Sequence, residues 1–165
     1  MVDNLCRFTG HSTLPPKKIE RIITNLDREI KSLIAKGVTN FISGGALGFG
    51  QIAASLIITK KEMGKAIHLI FALPRKNQDE SWAHQQKERY RALLLEADEI
   101  VYVSEEYTAD CMKKRNYYMI DNAHFAYALY KTKQAEQGKL FALPKERPQS
   151  YQCSKMKGVR LPDYR

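Results

Sequence analysis

A chain of 165 residues, 44% hydrophobic and 27% charged, has the makeup of a single soluble globular domain long enough to bury a core. No apolar run approaches the roughly 20 residues that cross a bilayer, and the opening MVDNLCRFTG lacks the basic stretch and apolar core of a signal peptide. The formal charge of +9 is uneven: residues 131–165 hold nine Lys/Arg against three Asp/Glu, a net +6, which leaves +3 for everything before them. That basic segment either meets nucleic acid or an acidic protein, or is a solvated tail. The three cysteines, Cys6, Cys111 and Cys153, are odd in number and share no close spacing. Their pattern argues against a disulfide framework or a metal site and for a reducing, cytoplasmic setting, with Cys6 a small buried hydrophobe.

Along the chain, Asn4 to Thr9 reads as a short strand ending in Gly10. Pro15 and Pro16 open a helix whose Ile19, Ile22, Ile23, Leu26, Ile30, Leu33 and Ile34 recur at helical spacing, and Gly37 stops it. Thr39 to Ser43 is a second strand. Ile52 to Met63 is a buried helix closed by Gly64, and Ala66 to Leu73 is a third strand, apolar on both faces as an inner parallel strand is. Gln78 to Ala97 reads as a polar helix, Glu99 to Val103 as a fourth strand and Ala109 to Met119 as a helix. Ala123 to Tyr130 fits a fifth strand, with a helical pattern almost as good. Strand and helix alternating in this order predict an α/β domain over residues 1–144, Rossmann-like in its three layers, with a mainly parallel sheet and right-handed crossovers. Residues 145–165 form a separate basic C-terminal tail. Whether Tyr130 to Pro144 is a helix, a hairpin or a dimer contact stays open, as does homo-oligomerisation.

In such sheets ligands bind beyond the carboxyl ends of the strands. The loops there are TGHS, SGGALGFG, LPRKNQ and SEEY. The second, poor in side chains between a strand and a helix, is a seat for phosphate or pyrophosphate: Gly44 and Gly45 allow the turn, Ala46 keeps it bare and Gly48 allows close approach. Its spacing is not the dinucleotide fingerprint GxGxxG, so an ordinary NAD site is not implied. His11, after Gly10, either donates to a phosphate, acts as an acid–base group or caps the next segment. Gln78 and Trp82 follow the third strand, and Trp82 either stacks on a base or packs at the edge of the core. Arg115 is a residue type that pairs bidentately with phosphate. Asp121 either accepts from ribose hydroxyls or caps a turn.

CRFTGH, FISGGALGFG, LPRKNQDESW and CMKKRNYYMID, in that order and spacing, resemble the YpsA-like branch of the SLOG superfamily over roughly residues 4–130. The resemblance implies a Rossmann-like protein of bacterial or phage type that binds a nucleotide or a nucleotide derivative such as ADP-ribose. It also places the pair Arg115 and Asn116 near the site. Three departures stand out. Ser12 follows His11 where the family reads TGHR, and Gly50 stands where it reads GFD. The sequence KTKQAEQGKLFALP replaces the family's second, GGT-bearing loop and helix. Nothing matches the PGGxGTxxE motif that serves catalysis in the related LOG enzymes. Either the chain takes a different ligand or it keeps the fold without the site.

The leading expectation is therefore a nucleotide-binding or nucleotide-sensing protein with no assignable chemistry. A second is a binder of single-stranded DNA of the DprA type, which the basic tail favours and for which Tyr102, Tyr107, Tyr117, Tyr118 and Tyr127 would offer stacking surfaces. A third is a protein-binding inhibitor or adaptor on a degenerate nucleotide fold. A fourth, an N-glycoside hydrolase, needs a carboxylate at the site. Gly50 occupies the best loop position for one, and spacing gives no reason to prefer Glu105, Glu106 or Asp121.

Overall fold

The computed structural model describes residues 4–131 and 136–143. The elements in chain order are β1 (Leu5–Thr9), a 3-10 turn (Pro16–Lys18), α1 (Ile19–Ala35), β2 (Asn40–Ser43), α2 (Phe49–Glu62), β3 (His68–Leu73), α3 (His84–Leu95), β4 (Glu99–Tyr102), α4 (Cys111–Asn122), β5 (Phe125–Lys131) and β6 (Glu136–Ala142). The strands form one six-stranded sheet in the order β4-β3-β2-β1-β5-β6. Every neighbouring pair is parallel except β5 and β6, which run antiparallel from Phe125↔Ala142 to Lys131↔Glu136. The α/β, Rossmann-like expectation is met, and the inner position of β3 agrees with its apolar run. The tail lies outside the described residues, as do the 144/145 boundary and Cys153. Among the described residues no helix is long and apolar enough to cross a membrane.

Local signals explain the helix ends. α1 buries Ile22, Leu26, Ile30 and Leu33, one stripe at helical spacing. It stops where Gly37 takes φ +93°, with Gly37 N–H donating to the Ile34 carbonyl and Val38 N–H to that of Leu33, both at 3.0 Å. Gly64, at φ +85°, ends α2 in the same manner. One helix begins later than its composition suggests. Gln78 to Trp82 are turns, and α3 starts at His84 after Gln86 Oε1 accepts the Ala83 N–H at 3.0 Å. The reason is tertiary: the Gln78 amide is drawn to Gly44 and Tyr90, and Asp79 is buried. The fifth strand is a strand, and the segment after it returns as β6 to make a hairpin.

Alternation along β1 sets the layers. Cys6 and Phe8 join α1, α2 and α3 in the main core with Phe41, Leu69, Phe71 and Leu129, while Leu5 faces α4 with Ile42, Ala72, Met119 and Ala123. The connection from β4 to β5 therefore carries α4 across the face opposite α1, and β1 sits where the strand order reverses. Cys6 is fully buried, and burial pushes its thiol up to about 12.

A ladder of rings runs through the core. A Cβ on Gly10 would fall within the Phe49 ring; Phe49 stacks on Tyr127 with centroids 5.9 Å apart; and a Cβ on Gly138 would collide with the Tyr127 phenol. Both glycines are thus required by packing. Gly138→Val is expected to lower stability by about 1–3 kcal/mol in urea unfolding, because the buried Tyr127 ring cannot yield without breaking its stack.

A second link joins α1 to α2. Lys60, with only 7% of its side chain exposed, donates to Asp27 Oδ1, and Lys31 pairs with Asp27 Oδ2 at 2.8 Å. Burial pushes the Asp27 carboxyl up, but the two lysines outweigh it and hold the group below its ordinary value. A depressed carboxyl stabilises the fold above its unfolded pKa, and that contribution is lost as pH falls through the folded one. Asp27→Asn is therefore expected to cost about 2 kcal/mol at pH 7, since it strands a buried ammonium beside a partly exposed site. The gap to the native protein should close below about pH 4 in a pH series of unfolding curves.

Candidate functional site

The site grows from the α4 face of the sheet. The alternation that turns Leu5 toward α4 turns Arg7 the same way, and α4 presents Arg115, Asn116 and Met119 against it. Arg7 is 2% exposed and Arg115 1%. Arg115 Nη1 donates to the Gly44 carbonyl at 3.0 Å and its Nε to Asn116 Oδ1 at 3.0 Å. Arg7 Nη1 donates to the Asn116 carbonyl at 3.4 Å. Asn116 thereby anchors both guanidinium groups, one through its side chain and one through its backbone.

The glycine loop is braced from several sides. Its Gly44 carbonyl also accepts from Gln78 Nε2 at 3.3 Å, and Gln78 donates to the Tyr90 hydroxyl at 3.1 Å. Desolvation raises the Tyr90 phenol, which stays neutral in this role. The buried Ser43 hydroxyl accepts the Gly45 N–H at 3.2 Å and donates to the Gly50 carbonyl at 2.9 Å, while Gln51 Nε2 donates to the Gly45 carbonyl at 3.2 Å. Gly45 and Gly48 need their glycines, at φ +65° and +80°.

Between β1, this loop and α4 lies a cleft, partly open to solvent, with a cavity of about 20 Å³, the room of one water molecule. Phe8 and Thr9 line it from β1, Gly44, Ala46 and Gly50 from the loop and α2, and Asn116 and Met119 from α4. Arg7 and Arg115 are its ionisable lining residues. It sits at the carboxyl ends of β1 and β2, beside the point where the strand order reverses, which is where α/β sheets take ligands.

The expected residues fall into three groups. Gly44, Ala46, Arg115 and Asn116 converge on the cleft, and Gln78 holds it from behind. Gly10, His11, Gly45 and Gly48 shape it without lining it. His11 accepts the Phe49 N–H at 3.0 Å through its carbonyl and so caps α2. The close approach at Gly48 is made by the chain itself: a Cβ there would meet the Ser12 carbonyl carbon at 2.6 Å. Trp82 and Asp121 lie elsewhere. Trp82 packs edge-on to Tyr90 at 5.0 Å, and Asp121 is exposed in the last turn of α4. Glu105 and Glu106 are exposed as well, and Tyr127 is buried in the ring ladder, which removes it as a stacking surface.

Arg7, Thr9, Ser43 and Met119 were not singled out by the motifs. Arg7 carried a signal, a lone charge in the apolar run LCRFT, where a strand buried on both faces has no solvent to offer it.

Two glycines of the loop should respond oppositely to alanine. At Gly44 a Cβ would meet Arg115 Cζ at 2.9 Å, so Gly44→Ala must displace the guanidinium and is expected to cost about 1–3 kcal/mol. At Gly50 the nearest atom is Ser43 Oγ at 3.4 Å, and Gly50→Ala in the first turn of α2 should be neutral or stabilising by up to about 1 kcal/mol. Thermal or urea unfolding of the two variants checks the contrast.

The chain is similar to known proteins. The uncharacterized SPbeta prophage-derived protein YoqJ of Bacillus subtilis (strain 168) is 38% identical over 114 residues, 61% of this chain and 67% of its own length. A UPF0398 protein of Bacillus pumilus (strain SAFR-032) is 27% identical over 114 residues; the match covers 68% of this chain and 61% of that protein. The family described as the YspA SLOG family, YpsA, matches residues 13–159, nearly the whole chain, and this protein belongs to it.

Proposed function

We propose that the cleft under the glycine loop binds a nucleotide or a nucleotide derivative through an anionic group. The observation that carries this reading is the pair of buried guanidinium groups, Arg7 and Arg115, lining one solvent-reaching cleft whose opposite wall is nearly bare backbone. Arginine is the side chain suited to phosphate, being always charged and forked. Membership of the SLOG family and the position at the carboxyl edge of the sheet support the same reading. The residues that would hold the ligand are Arg7, Thr9, Ala46, Arg115 and Asn116, with Gly44, Gly45 and Gln78 keeping the loop in shape. The reading is of binding or sensing. The carboxylates weighed for hydrolysis, Glu105, Glu106 and Asp121, are exposed and do not line the cleft.

The competing reading, single-stranded DNA held by a basic surface, has the net charge of residues 131–165 in its favour. The two separate in one pair of assays. A nucleotide at about 100 times its dissociation constant should stabilise the native protein by roughly 2.7 kcal/mol, a clear rise in melting temperature. Arg7→Gln, which removes one of the two guanidinium groups that line the cleft, should reduce that rise. Removal of residues 151–165 should leave nucleotide affinity little changed. If the chain instead holds DNA, affinity for a labelled single strand should fall steeply between about 50 and 200 mM salt, and the truncation should flatten that slope. A steep salt response with no thermal response to any nucleotide would overturn the proposal.

A further inference from the structure

We propose that the outer edge of β4 pairs with the same edge of a second copy of this chain, in an antiparallel two-fold dimer. The sheet has two edges, β4 and β6. An open edge presents unpaired backbone donors and acceptors, which proteins blunt with charge, above all lysine, or with proline. β6 carries Glu136 and Lys139. β4 is short, but its run EIVYV, residues 99–103, holds no lysine or proline, and Glu99 is its one charge. Its apolar side chains are also uncovered: Ile100 is 37% exposed and Tyr102 40%, beside Leu95 at 86% at the end of α3.

The backbone dictates one register. Val103 N–H donates to the Leu73 carbonyl of β3 at 3.0 Å. By strand alternation Val101 and Glu99 turn the same way, so the N–H and C=O groups of Ile100 and Tyr102 point out of the sheet. Asp98 N–H is taken by the Leu69 carbonyl. In an antiparallel pair, outward residues must meet outward residues. Ile100 of each copy then sits opposite Tyr102 of the other, two bonds to each pair, with the two Val101 on the axis between them. The faces agree. Ile100 and Tyr102 pair with Phe71 and Leu73, which lie in the main core, while Val101 and Glu99 pair with Ala72 and Ile70 on the α4 side. The dimer thus sets an isoleucine against a tyrosine on one face and valine against valine on the other, both favourable cross-strand pairs.

Charge complementarity singles out a second copy as the occupant. In this register Glu99 lies opposite Val103 of the other copy, not opposite its own counterpart. The Glu99 carboxylate stands beside Tyr118 of α4, whose phenol is raised by burial and by that charge. Lys114 lies one turn before Tyr118 on the same stripe. Because α4 runs back against the strands, Lys114 stands toward the carboxyl end of β4. Its ammonium is held only by a surface pair with Asp110 at 3.4 Å, both side chains about half exposed. The two-fold therefore brings the acidic end of one β4 to the basic end of the other, twice. The result is one continuous sheet of two six-stranded halves, with the two clefts opening at opposite ends.

Sedimentation equilibrium of the full chain between about 10 and 500 μM, the range of a small interface, should show a 19.0 kDa monomer in exchange with a dimer. Tyr102→Pro removes a donor that faces out of the sheet, so the ladder with β3 survives. It should raise the dimer dissociation constant about tenfold or more, with unfolding curves to check the fold. Should it not fold, Ile100→Lys, an edge charge, supplies the same readout. Mild oxidation reads the register in a Cys153→Ser background. Val101→Cys should cross-link two copies, since the paired Cα atoms would lie about 4.5 Å apart. Ile100→Cys should not, because its counterpart lies on the diagonal at about 7–8 Å. A monomer at every concentration would overturn the proposal and leave the edge to an extended segment of another protein. A dimer as tight in Tyr102→Pro or Ile100→Lys, or cross-linking by Ile100→Cys and not Val101→Cys, would overturn it too.

Discussion

The hydrogen bond from the Arg115 guanidinium to the Gly44 carbonyl is the contact on which the carboxyl edge of the sheet depends. A buried guanidinium is costly to desolvate, and it is tolerated only where its donors are taken up. Here one is taken by the loop and one by Asn116, at 3.0 Å each. The contact ties α4, on one face of the sheet, to the loop that opens α2 on the other. It also dictates glycine at position 44, because a Cβ would meet the guanidinium nitrogen at 2.5 Å. With that position fixed, Gln78 and Ser43 can hold the rest of the loop, and the cleft has a wall that does not move when α4 does not.

The glycines of this chain show why a glycine-rich loop is ambiguous when read by itself. Gly45 and Gly48 are demanded by backbone conformation, Gly44 by Arg115, Gly10 by the Phe49 ring and Gly138 by Tyr127. Among the described glycines, only Gly50 both has room for a side chain and faces the cleft. Most of the glycine signal therefore reports packing, and the part that bears on the proposed ligand is the bareness of Gly44, Ala46 and Gly50 opposite two arginines. The ladder from Gly10 through Phe49 and Tyr127 to Gly138 also links the loop after β1 to the β5–β6 hairpin through the core. The hairpin stands where the family carries its second glycine loop.

What was legible in the sequence is what is local. The stripe of Ile22, Leu26, Ile30 and Leu33 is a property of one helix, and Gly37 and Gly64 stop their helices by their own backbone conformation, so both could be read without the fold. The parallel sheet followed from the order of apolar runs. The start of α3 was misplaced because Gln78 to Trp82 have helical composition, and only the distant Gly44 carbonyl and Tyr90 hydroxyl recruit Gln78 away from a helix. Arg115 and Asn116 were found through a motif, but the use of Arg115 as a brace on the loop depends on a contact 71 residues away. Arg7 escaped notice because a strand residue's environment is set by which helix crosses above it, and α4 arrives more than a hundred residues later. The β6 strand, EQGKLFA, is poor in strand-forming residues, and its pairing with β5 is a tertiary fact.

The central claim is that the Arg115–Gly44 brace builds an anion-binding cleft between β1 and α4. Its most direct test is a titration of the isotope-labelled protein with a 5′-mononucleotide, followed by amide and arginine side-chain NMR signals. The account predicts the largest shifts at the amides of Gly44, Ala46 and Gly50 and at Nε of Arg7 and Arg115, with Asp121 and the β4 edge unmoved. Shifts centred on Tyr102 and Tyr107, or on residues 145–165, with the two arginine signals unchanged, would contradict it.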